Sequence, residues 1–142
     1  MAANPSDLDR FVRAQAGIYP CALAELKAGA KRSHWMWFIF PQVKGLGMSE
    51  MSVRFAIDSL DEAKAYLAHE ILGPRLKECT QAVLDVEGKC VEDIFGYPDD
   101  LKFGSSMTLF AKASEQDSIF ERALKKYFKG KMDEATLRQV GL

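Results

Sequence analysis

Much that would assign a role at once is scarce in these 142 residues. The cysteines number three, Cys21, Cys79 and Cys90, with no C-x-x-C spacing. An odd, scattered set argues against a disulfide framework and for a reducing compartment, and its plainest reading is small buried thiols. There are two histidines, His34 and His69, set far apart. Tetrahedral zinc held by cysteine and histidine is therefore not expected, and neither is another metal or cofactor. No apolar run nears the ~20 residues a membrane helix needs. The Met-Ala-Ala-Asn-Pro-Ser start lacks the cationic-then-apolar order of a secretory signal. We expect a cytoplasmic chain with no membrane partner. A net charge of −1 provides no basic field, so nucleic acid is not an expected partner. Internal repeats, low-complexity tracts and a G-x-S-x-G nucleophile elbow are absent, and Gly45-Leu46-Gly47 is too short for a phosphate loop or dinucleotide fingerprint.

What the chain does have is an ordinary globular balance, 48% hydrophobic and 27% charged residues, enough for one domain over 1–142 with its core in about 7–140. Gly, Pro, Ser and Asp punctuate it into helical pieces. Ser6 is placed to cap a first helix, with Asp7 and Asp9 in its opening turn. Pro20 suits the first turn of a second helix. Ser33 is expected to cap a third that runs to Phe40 and ends at Pro41. Ser59-Leu60-Asp61-Glu62 matches a capping box. Gly73-Pro74 marks a kink or a new start, and a short helix fits Val91–Phe95. Asp99 or Asp100 is expected to cap a helix carrying Leu101, Phe103, Met107, Leu109 and Phe110. Asp117 or Ser114 opens another, and Asp133 caps the last. Only Met51–Ile57 alternates in the manner of a strand. The expected fold is all-α: a compact single domain of six to eight short helices.

Residues 31–42, Lys-Arg-Ser-His-Trp-Met-Trp-Phe-Ile-Phe-Pro-Gln, hold both tryptophans. Six large apolar side chains in succession must cross the core, so the polar ends emerge at defined places. If Ser33 caps a helix, the free N–H groups after it, flanked by Lys31 and Arg32, form an anion site suited to phosphate. The plainer alternative is a simple cap with solvated lysine and arginine. A second group, Asp99, Asp100, Lys102, Ser105 and Ser106 around Gly104, offers hydroxyls and an ammonium to a ligand. Alternatively, small residues there pack helices closely while each hydroxyl returns to its backbone. Gln15, Tyr19, Gln42 and Arg75 form a third group that lines a pocket or locks helices together. A Ser105–His34–Asp99 triad can be written, but composition alone does not make one.

Several stretches resemble one family: Arg10-Phe11 with Ala14-Gln15 and Tyr19, Lys31 with Ser33–Gln42, Gly45-Leu46-Gly47, Leu72–Leu76, Ile94-Phe95-Gly96, Asp99–Lys102 and Ser105–Phe110. From about Leu8 to Leu137 the chain is similar to the bacterial domain-of-unknown-function family 1810, also called the mycobacterial Rv1873-like family. The resemblance implies a small, mostly helical cytoplasmic fold and brings no activity, cofactor or catalytic residue. One departure is His69-Glu70-Ile71, where members often read His-Pro, so the turn there is expected to differ.

These readings converge on a helical protein that binds a small anionic or nucleotide-like metabolite. Lys31, Ser33, His34, Gln42, Lys102, Ser105 and Ser106 are the expected ligand-binding residues. If there is catalysis, the candidates are His34 as general acid or base with Asp99 or Asp100. Two rivals stand beside this. One is a protein-interaction module without a small ligand, marked by an apolar patch around Trp35, Phe38 or Val43–Met48. The other is a weak hydrolase or glycosidase acting on nucleotide-derived substrates. No particular protein partner is implied.

Overall fold

In the computed structural model residues 7–142 are described, and Ser6, expected to cap the first helix, lies outside them. The chain folds into helices α1 (Asp9–Gln15), α2 (Tyr19–Lys27), α3 (Met36–Ile39), α4 (Glu50–Arg54) and α5 (Leu60–Ala68), then α6 (Leu72–Leu84), α7 (Val91–Phe95), α8 (Asp99–Lys112), α9 (Ile119–Phe128) and α10 (Glu134–Gln139). That makes ten helices among the described residues, more than the six to eight expected, because short single-turn pieces such as α3 and α4 add to the longer ones. No strand forms there. Met51–Ile57, read as possible strand, begins as α4 and reaches extended backbone only at Ile57, in an isolated parallel bridge with Val43. None of the helices is long and apolar enough to cross a membrane.

Helix α8 is the axis. Every residue from Phe103 to Ala111 is buried, so the helix is covered all round and its neighbours α5, α7, α9 and α10 pack about it. Phe103 stands at the centre, edge-on to Phe40 at 5.0 Å between ring centres and stacked on Phe95 at 4.7 Å. Gly104 lets α9 approach: a Cβ there would lie 3.0 Å from the Phe128 ring. Helix α9 is amphipathic, with Phe120, Ala123 and Leu124 inward. Its outer residues are not idle. Lys126 donates to the carbonyls of Leu84 and Val86 at 2.6 and 2.7 Å, and the Tyr127 hydroxyl donates to Val83. These bonds tie α9 to the end of α6 and the turn after it.

Local signals set most boundaries. Ser59 accepts the Glu62 N–H at 3.1 Å, and Glu62 reaches back to the N–H of Asp58 at 2.6 Å, closing a box one residue wider than the sequence pattern. Asp133 caps α10, and Pro20 sits in the first turn of α2. Other caps fell on unexpected residues. Ser118 caps α9, in place of Asp117 or Ser114, and Cys90 caps α7. Helix α8 follows Pro98 with Asp99 and Asp100 inside its first turn, where their charge favours the dipole but neither caps. Gly73-Pro74 is a new start: α6 crosses the end of α5 so closely that a Cβ on Gly73 would stand 2.2 Å from the Leu67 carbonyl oxygen. In the divergent turn before it, His69 Nδ1 accepts the N–H groups of Ile71 and Leu72 at 3.1 and 3.2 Å. The thiols correct the expectation of burial, for Cys79 is buried while Cys21 and Cys90 are exposed.

Candidate functional site

The stretch before α3 does not form the expected site. No helix begins at Ser33; α3 starts three residues later and Trp35, with no side-chain cap, precedes it. The reason is Glu25, on α2. Its carboxylate accepts the backbone N–H groups of Arg32 and Ser33 at 2.8 and 3.0 Å, the Ser33 hydroxyl at 2.6 Å and the Trp35 indole N–H at 3.0 Å. Glu25 thus ties down the Ser33 hydroxyl that was expected to cap, so no helix start at Ser33 presents the N–H groups after it to an anion. Burial by itself would raise this carboxyl, but the hydrogen bonds from Ser33, Arg32 and Trp35 outweigh it and hold it at about 2. His34 points to solvent, with no hydrogen bond or ion pair among the described residues.

Lys31 is likewise spoken for. Its side chain is 7% exposed, pairs with Asp99 at 2.8 Å, donates to the Ser33 carbonyl at 2.6 Å and lies over the Trp35 ring. The other Asp99 oxygen is 3.6 Å from Lys102. Two cations thus share one carboxylate, and Asp99 is nearer Lys31. One positive charge is left over, and Lys102 carries it.

Lys102 borders a hollow of about 580 Å³, within the range of small-molecule sites. It runs between Gln42, the loop Lys44–Met48, α4 and the end of α10. Trp37 forms part of its wall. Trp35, Met36, Phe38, Ile39 and Phe40 are buried, as a core-crossing segment requires, and Trp37 is the one member of the run that is not. The Lys102 ammonium sits over its ring at 5.4 Å, and its indole N–H, itself buried, has no acceptor among the described residues. Phe55 adds apolar wall. Lys44 also borders the hollow but is paired with Asp58 at 3.0 Å, so that pair adds no net charge.

Of the residues expected to bind a ligand, Gln42 and Lys102 meet here. Lys31 and Asp99 stand behind Lys102 as its electrostatic support. Ser33 and His34 do not border the hollow, and neither do Ser105 and Ser106. Ser105 donates to Leu101 O and to Asp133, while Ser106 is fully buried with an unpartnered hydroxyl. Ser105 thus joins α8 to the start of α10, and Ser106 belongs to the buried interior. No triad forms, since the Ser105 hydroxyl is committed to Asp133. Asp100 accepts the N–H of its neighbour Leu101. Gln15 locks helices: its amide donates to Phe38 O at 2.7 Å and to Tyr66, and Arg75 donates to it at 3.2 Å while lying over the Tyr19 ring. Burial pushes the Tyr66 and Tyr19 hydroxyls well above the usual range, so both stay protonated throughout the neutral region.

The site residues missed by sequence reasoning were Trp37, Phe55 and Gln139. Gly45 and Gly47 carried a faint signal. A Cβ on Gly45 would lie 2.8 Å from the Gln139 amide, and one on Gly47 would lie 2.7 Å from Ser52 Oγ, so both glycines mark close approaches around the hollow.

A family described as protein of unknown function (DUF1810) matches residues 5–140. The chain belongs to this family. It is also similar to the crystal structure of the conserved hypothetical protein Rv1873 from Mycobacterium tuberculosis at 1.38 Å, with 53% identity over 98% of this chain and 99% of that one and a TM-score of 0.95. No curated protein matches. For this DUF1810 member, then, an account of function has to be built from its own geometry.

Proposed function

We propose that this protein binds a small anionic, nucleotide-like metabolite in the hollow beside Trp37. One observation carries the reading: an aromatic ring and a surplus cation, Trp37 and Lys102, meet at the wall of the same hollow. Flat apolar surface serves a ring system, and the ammonium serves a phosphate or carboxylate. Asp99 does not cancel Lys102, because Lys31 holds it at shorter range. The site differs from the one expected at the start of the tryptophan stretch, where Glu25 ties down the Ser33 hydroxyl. A thermal-shift screen with nucleotides, sugar phosphates and inorganic phosphate tests the reading. Stabilisation by at least one anion is expected, and Lys102→Met should abolish it while His34→Ala leaves it intact. No response to any anion, or a response that survives Lys102→Met, contradicts it.

A second reading, an interaction module without a small ligand, is supported by the rim. Met48 is 92% exposed and Val53 65%, whereas Trp35 and Phe38 are buried. Nothing comparable supports a hydrolase, because Asp99 and Asp100 are both committed to other partners and His34 has no acid beside it.

A further inference from the structure

Lys31 does not border the hollow, yet it is held on several sides close behind it. Its backbone N–H donates to the Ile94 carbonyl at 2.8 Å. Its ammonium, on a side chain 7% exposed, meets Asp99 at 2.8 Å, the Ser33 carbonyl at 2.6 Å and the face of Trp35 at 5.0 Å. Ser33 and Trp35 are themselves fixed by hydrogen bonds to Glu25. A nearly buried ammonium is costly unless it is paired. This one cannot swing out to a ligand without leaving all three partners at once.

Asp99 has two cations to choose between. Its Oδ2 is on Lys31, while its Oδ1 stands 3.6 Å from Lys102, three residues on in the same helix. That second distance is too long for a hydrogen bond, so Lys102 keeps its donors for the hollow it borders. Without Lys31 the carboxylate would have one cation left, and a pair three residues apart on a helix closes readily. An external anion would then compete with an internal one for Lys102. Without the carboxylate, Lys31 and Lys102 would both stand unbalanced. What Asp99 is bonded to therefore sets the charge offered beside Trp37.

We infer that Lys31 is a positioning residue for the anion site: by engaging Asp99 it keeps the Lys102 ammonium available at the wall of the hollow. This rests on the proposed function above, that the hollow takes a small anion. A pair that merely staples the stretch before α3 to α8 would affect stability alone. The positioning role moves anion affinity, and in opposite directions for the two partners. Calorimetric titration of the full chain and its variants with inorganic phosphate, ribose 5-phosphate and adenosine 5′-monophosphate tests it. Lys31→Met should weaken whichever probes bind the wild type by about fivefold, the effect of one unit charge a few ångströms away in water-like surroundings. Asp99→Asn should strengthen them by about fivefold for the same reason. The two substitutions together should bind at least as tightly as wild type, because the carboxylate through which Lys31 acts is gone. A gain in affinity cannot come from misfolding, so Asp99→Asn decides the matter even where Lys31→Met fails to fold. Wild-type affinity in Lys31→Met, no gain in Asp99→Asn, or a double variant as weak as Lys31→Met overturns the inference and leaves an anion site served by Lys102 alone. Failure of the wild type to bind any of the probes removes the anion reading itself, and this inference with it.

Discussion

Replacing Glu25 by glutamine keeps the shape of the side chain and removes its charge. The oxygen facing Arg32 N, Ser33 N and the Trp35 indole can remain an acceptor, and the new amide N–H can donate to Ser33 Oγ, so only the part-buried Ser33 hydroxyl and the exposed Cys21 thiol lose an acceptor. What is lost is the electrostatic part. Glutamate titrates near ~4.3 in an unfolded chain and at about 2 here. The difference corresponds to about 3 kcal/mol at full strength. The carboxylate is partly exposed, and solvent screening brings the expected loss to about 1–2 kcal/mol. The folded carboxyl titrates below the unfolded one, so its contribution is complete above about pH 5 and fades as the pH falls towards 2. Urea unfolding of both proteins at pH 7, 4 and 2.5 measures this. The gap in stability should be about 1–2 kcal/mol at pH 7 and should narrow steadily with acid. A gap that is the same at pH 7 and pH 2.5, or no gap at pH 7, would refute the argument.

Three other outcomes follow from packing. Gly73→Ala should cost ~3 kcal/mol or more in chemical denaturation, because the Leu67 carbonyl at 2.2 Å is backbone and cannot step aside; a wild-type midpoint would mean that α5 and α6 cross less closely. Ser106→Ala removes a buried hydroxyl with no partner and should leave stability unchanged or raise it by up to ~1 kcal/mol, whereas a loss above ~1 kcal/mol would show that the hydroxyl is bonded after all. With a thiol reagent at pH 8, Cys21 and Cys90 should react promptly and Cys79 only on unfolding, since burial pushes its thiol up to about 12; three equally fast thiols would contradict the packing of α6.

The sequence was readable where the physics is local. A cap needs residues three apart, so Ser59 with Glu62 and Asp133 with Thr136 could be found without a fold. The apolar density of Leu101–Phe110 marked α8, and its small residues marked close packing. Ser33 was misread because its partner is not local: Glu25, eight positions earlier, captures its hydroxyl and N–H before a helix can use them as a start. The period-two pattern of Met51–Ile57 gave way because Ser49 caps a helical turn there, its hydroxyl accepting the N–H of Ser52. Lys31, Gln42, Asp99 and Lys102 were singled out for their chemistry, yet only tertiary structure decides that Lys31 neutralises Asp99 and thereby leaves Lys102 for a ligand. The wall made by Gln139 against Gly45 joins two segments far apart in the chain, and no spacing rule encodes it.

The two tryptophans allow the site to be located directly. Trp35 is fully buried with its indole N–H on Glu25, and Trp37 lines the hollow with its indole N–H uncommitted. In a ¹H–¹⁵N correlation spectrum their indole signals are separate reporters. On titration with an anion that stabilises the protein in the thermal-shift screen, the Trp37 signal should move in a saturable way while the Trp35 signal stays. Movement of Trp35 and the backbone of Ser33 and His34, with Trp37 unmoved, would place the anion at the start of the tryptophan stretch and contradict the assignment of the hollow.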